Sequence, residues 1–393
     1  MSRIEGDIGE LVKSGLWMWG RSNPKRMTFF LRIAWRLWRA ERRRVRQERT
    51  IGTPIPTVLA ISPTMRCNYN CQGCYSRTRS TTHELTSPEL DAIFTEAEGL
   101  GVLAVVVTGG EPMLRGDMVD LMARHRGLLF VPITNGSLVS PNLASKIAES
   151  GNILTLVSVE GLFDYTDERR MPGAFEAAVR AMEHLNWAGA CFGFSAMNTA
   201  CNTEHLGSDK FVDEMIALGC SVGFFTEYVP CGPNPRRDWV LEEETRLAFR
   251  RRVLELRASK PIVLVQFPHD EYGQDGLCSA AGRRSLHISS EGDVEPCPFV
   301  PLSCENVRRG GLLSACRSPF LRAIREHPDL LRRQKFACSL FEHRAEVEKL
   351  LKHEKGQSGH GSVVVRNLEG QGYERDGHPD LRAYQEVRRA CGG

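Results

Sequence analysis

The sequence predicts an α/β protein with a parallel sheet, followed by a smaller cysteine-rich region. Three observations carry that reading: a length of 393 residues, β-rich runs alternating with helical stretches from Pro54 to about Val229, and 13 cysteines, most of them in spaced groups. At 41% hydrophobic and 25% charged, the chain has the apolar content for one large core and a small one. Disorder as the dominant state is thereby excluded.

Taken in order, the candidate strands cover residues 57–62, 102–108, 128–134, 153–159, 191–198 and 221–229. Between the first two, Thr86 and Glu89 fit a capping box around Ser87 and Pro88, and Leu90, Ile93, Phe94 and Ala97 recur at helical spacing. Ser140 caps a helix that Pro141 opens and Gly151 ends. Six strands interleaved with helices need crossover connections, so the sheet is parallel and either doubly wound or curled into a barrel. From about Lys260 to Leu351, spaced cysteines, prolines and glycines replace the alternation, and a separate small domain is expected there. The last stretch, over 353–393, is glycine-rich with little apolar period, which predicts a mobile tail in which Cys391 is an incidental thiol.

Charge narrows the function classes. With 51 basic and 48 acidic residues the formal net charge is +3, too balanced for a protein that coats nucleic acid. No run of about 18 apolar residues occurs, and the opening MSRIEGDIGE lacks the apolar core and cleavage site of a signal peptide. The expected compartment is the cytoplasm. There, so many cysteines argue for metal, cluster or redox use over disulfides.

Cys67, Cys71 and Cys74 form C-x3-C-x2-C directly after the first strand. Soft thiolates spaced this tightly on one loop can converge on one metal centre, and three of them leave one corner of a four-iron cubane open. A zinc knuckle competes, but zinc sites prefer paired C-x2-C units, and no fourth Cys or His follows closely. The second strand ends in Thr108-Gly109-Gly110-Glu111-Pro112. Two glycines and a carboxylate thus stand at the carboxyl end of a parallel strand, where such folds bind ligands. Glycines let a ligand approach the backbone, and Glu111 can hold an ammonium group.

In this order on a βα repeat, the two motifs resemble those of the radical S-adenosylmethionine (radical SAM) superfamily, over about residues 55–230. The resemblance implies a partial (β/α)6 TIM-like barrel at 54–255. It implies that Cys67, Cys71 and Cys74 ligate three irons of a [4Fe-4S] cluster whose fourth iron is chelated by the amine and carboxylate of SAM. Gly109, Gly110 and Glu111, with Pro112 closing the motif, would hold that amine. Ser158 and Glu160 match a strand end that touches the ribose and carboxylate, and Asn135 and Asn198 are further cofactor contacts, with ordinary turn chemistry as the alternative. Many members carry an aromatic residue just before the third cysteine, near the adenine; here Gly73 stands there and Tyr75 follows. The implied activity is reductive cleavage of SAM to a 5′-deoxyadenosyl radical that abstracts hydrogen from a substrate, with electrons from a ferredoxin or flavodoxin.

A second set begins with Cys278 and Cys297, spaced C-x13-G-x4-C with the glycine at Gly292. The intervening SLHISSEGDVEPC reads as a β-hairpin that brings its flanking cysteines together. This spacing resembles the start of the auxiliary cluster domains called SPASM and Twitch. The full SPASM array, C-x2-C-x5-C-x3-C, does not follow, so the resemblance is to a Twitch-like α+β domain at 256–352 with one auxiliary [4Fe-4S] cluster. Its implied ligands are Cys278, Cys297 and Cys338, with Cys316 as the fourth and Cys304 as its competitor; a zinc ribbon or buried thiols are the alternative. Cys191 and Cys220 suit packing, whereas Cys201 and Cys231 follow strand ends and are candidates to face substrate.

Residues 1–53 form a basic, tryptophan-rich segment. Trp17, Trp19, Trp35 and Trp38 lie there, and the first fifty residues hold 13 basic against 5 acidic side chains. Phe30, Ile33, Ala34, Leu37 and Trp38 share one helical face. Such a helix either packs across the barrel's bottom or edge, or rests residues 12–49 on a membrane surface, which would place the protein at the inner membrane face. No nucleic-acid recognition module is present, and no such partner is expected. For substrate, a peptide or protein side chain comes first; a lipid, porphyrin or other small metabolite at the membrane surface is the alternative. A non-catalytic iron–sulfur electron carrier is the reading from another class, against which GGEP speaks.

Overall fold

Seven parallel strands run side by side in chain order in the computed structural model, which describes residues 24–358 apart from Pro233, Gln334 and Lys335. Trp17, Trp19, Cys391 and the tail beyond residue 358 lie outside the described residues. Helix α1 (Pro24–Ile51) leads into β1 (Val58–Thr64), α2 (Ser87–Leu100), β2 (Ala104–Gly109), α3 (Met118–Arg124) and β3 (Leu129–Thr134). Then come α4 (Pro141–Ser150), β4 (Thr155–Ser158), α5 (Phe163–Arg169), α6 (Ala174–Ala188), β5 (Phe192–Asn198), α7 (Asp209–Ala217), β6 (Val222–Glu227), α8 (Glu243–Ser259) and β7 (Val263–Phe267). The punctuation is as expected: Thr86 and Glu89 form the capping box of α2, Ser140 caps α4, and Gly151 ends α4 at φ +64°.

The sheet is a partial barrel whose two ends are β7 and β9 (Val294–Glu295). Strand alternation decides which residues meet the hollow centre. On β1, Val58 and Ala60 line the cavity while Leu59 and Ile61 are buried on the other face; on β6, Val222, Phe224 and Thr226 line it while Phe225 is buried behind.

Two departures from the sequence reading matter. A seventh parallel strand, β7, lies beside β6, in register Val222↔Val263, beyond the expected barrel boundary at 255. Its apolar run sits between Pro261 and Pro268, and that fence made it read as part of the loop-rich region. Secondly, β8 (Ser285–Ile288) pairs in parallel with β1, and β9 returns antiparallel to β8. The expected hairpin is therefore present, and it grows out of the barrel sheet.

A buried polar chain locks this hairpin down. Ser62 Oγ and His287 Nε2 lie 2.8 Å apart, and His287 Nδ1 meets Glu295 at 2.7 Å. Arg79 donates to both Glu295 oxygens, at 2.5 and 3.0 Å, and to the Pro298 carbonyl at 2.9 Å. Further out, α9 (Val307–Cys316) packs on α2: Leu312 and Leu313 N–H groups donate to Glu96 at 2.6 and 2.8 Å, and Arg308 pairs with Glu89 at 2.6 Å.

Helix α1 closes the amino-terminal mouth of the barrel. Phe29, Ile33 and Leu37 pack against Leu103, Leu129, Leu154 and Cys191. Trp38, expected on that face, is 42% exposed, beside Trp35 at 56%. Arg39 stacks over Trp35 at 4.7 Å and Arg42 over Trp38 at 4.4 Å.

Candidate active site

The loop after β1 carries Cys67, exposed, and Cys71 and Cys74, both half-buried; all three line the barrel cavity, which holds about 630 Å³. Its base is pinned to the end of β2. Gly110 and Glu111 N–H groups donate to the Thr64 and Arg66 carbonyls at 2.9 Å each. A side chain at Gly110 would place its Cβ 2.1 Å from the Arg66 carbonyl oxygen, and Gly109, at φ +101°, would meet Thr64 O at 2.5 Å. The glycines are thus required by the chain's own loop, and both also line the cavity. An ammonium group needs acceptors, so the spent amides leave that role to carbonyl oxygens and to Glu111.

Glu111 is 1% exposed. One oxygen accepts from Met113 N–H at 3.0 Å and Thr134 Oγ1 at 2.7 Å, the other from Asn135 N–H at 2.7 Å. Burial pushes its pKa up against these hydrogen bonds. Asn135 also lines the cavity, but its side chain is tied to the cysteine loop, donating to Asn68 at 2.9 Å and accepting from Ser137 at 2.7 Å. Ser158 lines the cavity at the end of β4, and Pro112 opens the short turn after β2.

Glu160 and Asn198 are placed differently from expectation, since neither lines the cavity. Glu160 is 1% exposed and saturated by Arg169, by Arg170 at 2.6 Å and by Met197 N–H at 2.8 Å. Asn198 follows Met197, a cavity residue, so strand alternation turns it to the far face; there it is buried with neither side-chain atom hydrogen-bonded. Arg169 and Arg170 themselves line the cavity, and the sequence reading missed them. Their signal was an ERR run in the first helix after β4, at the ligand-binding end of the sheet. Burial pushes the Cys71 thiol up, and Arg170 and Arg169 pull it back towards the thiolate. Cys67 is also raised by burial, while Tyr69 N–H donates to its sulfur at 3.4 Å.

Tyr75 joins the loop to both neighbours. Its hydroxyl lies 3.2 Å from Thr108 Oγ1 and accepts from Gly109 N–H at 3.2 Å, and its ring meets Phe299 edge-on at 5.8 Å. Phe299 follows Cys297, and Cys278 and Cys297 line the same cavity. Cys338 is 6% exposed, and Cys338 and burial raise the pKa of Cys297. Cys316 stands apart. It ends α9, where burial holds it at about 12 beside Glu96, Arg325 and Glu48, with no thiol among the groups that act on it. Cys304 is likewise set among Glu305 and Ser318.

Among the described residues, no three His, Cys, Asp or Glu side chains converge closely enough to hold a single metal ion.

Comparison with known proteins agrees with this geometry. The radical SAM superfamily model matches residues 61–193, and an iron–sulfur cluster-binding domain, SPASM, matches residues 278–339. The chain is similar to the AdoMet-dependent heme synthase of Nitratidesulfovibrio vulgaris, with 26% identity over 289 residues, 65% of this chain and 77% of that one. It is 29% identical over 288 residues to the PqqA peptide cyclase of Rhizobium meliloti, covering 68% and 75%. Streptococcus suis SuiB bound to S-adenosylmethionine shares the fold, with a TM-score of 0.61 at 18% identity over 72% of this chain and 71% of that one.

Proposed function

Because the chain belongs to the radical SAM superfamily and carries a SPASM-type cluster-binding domain, we propose that it abstracts hydrogen from a peptide or protein side chain inside the barrel. The observation that carries this is one shared cavity, lined by Cys67, Cys71 and Cys74, by Cys278 and Cys297, and by apolar strand residues. In this reading Cys67, Cys71 and Cys74 hold the SAM-binding [4Fe-4S] cluster, and the C-terminal thiols hold an auxiliary one. The donor chemistry fits, since three thiols on one loop, with the Tyr69 N–H donating to Cys67 at 3.4 Å and the Ser76 hydroxyl 3.0 Å from Cys74, are suited to soft iron. When bound, the cluster and SAM supply one-electron cleavage of a sulfonium bond. The chain's own residues position and shield. Glu111 offers a buried acceptor to an ammonium group, Arg169 and Arg170 offer donors to a carboxylate, and the apolar walls keep water away from the reacting carbon. The peptide cyclase relative supports a peptide, whose side chain would enter while its backbone stays at the rim.

The outward face of α1 favours a second reading, a lipid or porphyrin met at the membrane surface. Trp35 and Trp38 are exposed among arginines, an arrangement suited to an anionic interface. The heme synthase relative points the same way for a porphyrin. No described helix is long and apolar enough to cross a membrane, so contact would be peripheral.

The test is deoxyadenosine formation by the anaerobically reconstituted protein with SAM and dithionite, beside the Cys67/Cys71/Cys74→Ala variant. Small-molecule and peptide fractions of a cell extract are then added before and after protease digestion. Stimulation that digestion destroys supports a peptide; stimulation that survives digestion and partitions into organic solvent supports the second reading. Cysteine-independent deoxyadenosine would overturn both.

A further inference from the structure

The inward side chains of a parallel barrel ordinarily fill its centre, layer upon layer. This barrel keeps a hollow instead. At two successive levels the inward residues are only half-buried: Val58, Ala104 and Leu129 at the foot, then Ala60, Val106 and Val131 above them. Leu59 and Val105, which point the other way, are fully buried. Helix α1 floors the hollow, since Phe30, Ile33, Ala34 and Leu37 line the same cavity as Cys67, Cys71 and Cys74. On β2 the lining side chains are Ala104 and Val106 before the first polar one, Thr108. At about 3.3 Å per residue, that stretch alone spans about 13 Å. Such a wall is poor for water and suits a hydrocarbon chain.

The foot of the hollow also carries a charge. Arg284 stands where β1 begins, its carbonyl accepting from the Thr57 and Val58 N–H groups at 2.7 and 2.9 Å, and it is half-buried at the cavity wall. Three arginines line the cavity, and their partners differ. Arg169 and Arg170 pair with Glu160, whereas Arg284 makes no ion pair or side-chain hydrogen bond among the described residues. The carboxylates on the same wall are engaged elsewhere: Glu111 with Thr134 and two amides, Asp270 with Arg250 and Arg257, and Glu271 with Ser279. Thr57 lines the cavity at the Arg284 end, and its buried hydroxyl has no hydrogen-bond partner among the described residues. An apolar shaft that ends on an unspent guanidinium is complementary to an acyl chain that ends in an anion.

We propose that the foot of the barrel binds a long acyl chain with an anionic head, the head on Arg284 and the chain running up between the strands toward the cysteine level. The site goes beyond the function proposed above and does not rest on it, because its residues lie at the opposite end of the barrel from Cys67, Cys71 and Cys74. Two sources offer this chemistry, a free fatty acid and an anionic phospholipid. The phospholipid would be met at the outward face of α1, where Trp35 and Trp38 are exposed beside Arg39 and Arg42.

The full chain, reconstituted anaerobically, is titrated with labelled palmitate, with hexadecanol as the same chain without charge, and with phosphatidylglycerol vesicles carrying a labelled lipid. Arg284→Gln should weaken uptake of the anionic ligand by about tenfold or more and leave hexadecanol unchanged, a split that a general loss of packing would not produce. Ala104→Phe, which fills the shaft, should weaken both; circular dichroism checks folding, and Ala104→Val gives a smaller, graded version of the same change. Palmitate bound with this pattern assigns the free acid as ligand. Vesicle lipid taken up with this pattern assigns the phospholipid. Uptake of neither label, or uptake that Arg284→Gln leaves unaltered, would overturn the proposal.

Discussion

The two cysteine regions use the same ligand chemistry in opposite surroundings. Cys67, Cys71 and Cys74 ride on a loop at the open end of the sheet, where burial raises the Cys71 thiol and Arg170 and Arg169 oppose that rise. Cys278, Cys297 and Cys338 are sealed from bulk solvent at 9%, 8% and 6% exposure, the first two at the wall of the same cavity. The contrast separates two jobs. An exposed, cation-flanked set can exchange a small ligand and take electrons from a partner, whereas a buried set meets only what enters the cavity.

The largest expected effect tests the open set. Cys71→Ala should bring deoxyadenosine formation to background, measured by mass spectrometry after reconstitution; cleavage at the wild-type rate would end the assignment of the triad. Next in size is Cys297→Ala, which should leave part of SAM cleavage while product formation falls to background. Were cleavage and product lost in equal measure by a folded protein, the division of labour would not hold, and the sealed set would have to serve the first step too.

How much of this was legible beforehand differs between the regions in the same way. The open site rests on contiguous motifs, because a strand-end loop and its neighbouring strand end carry their residues within short stretches, and those motifs placed six strands and the triad. What escaped was set by alternation and by long-range packing. Asn198 turned out to face away because Met197, one residue earlier, takes the inward position. Glu160 reads as a ligand contact until Arg169 and Arg170, nine and ten residues later, are seen to saturate it. Strand β7 was hidden by its flanking prolines. For the sealed set, spacing singled out Cys278 and Cys297, which both line the cavity, while Cys316 and its competitor Cys304 as fourth ligand stand among other groups.

A smaller effect should appear where the sealed region is bolted to the barrel. Burial opposes the charge on Glu295, yet Arg79 and His287 hold its carboxyl below the ordinary range. Its stabilising effect is therefore present above the unfolded carboxylate pKa and is lost as pH falls. Glu295→Gln leaves Arg79 buried, 8% exposed in its side chain, without a counter-charge. A loss of about 3 kcal/mol is expected, read as a lower urea midpoint of the iron-free protein at pH 7. A midpoint within error of wild type would mean that the hairpin is held by β1 pairing alone.

The smallest effect belongs to the second bolt between the same two regions, and its size follows from exposure. Arg308 meets Glu89 at 2.6 Å, but both side chains are 33% exposed, so solvent screens the pair and its worth is below about 1 kcal/mol. The Glu89 carboxyl is still held to about 2, foremost by Arg308 and then, against burial, by the Thr86 N–H and hydroxyl. A carboxyl lowered in the folded state stabilises above its unfolded pKa and ceases to do so as pH drops through about 4 towards 2. Melting temperatures between pH 5 and pH 3 should accordingly fall more steeply for wild type than for Glu89→Gln. Parallel slopes would show that the cap and the ion pair contribute nothing at this seam. In that case the buried Arg79–Glu295 pair, the β1–β8 ladder and the Glu96 carboxylate on the Leu312 and Leu313 N–H groups carry the join between the open and sealed regions.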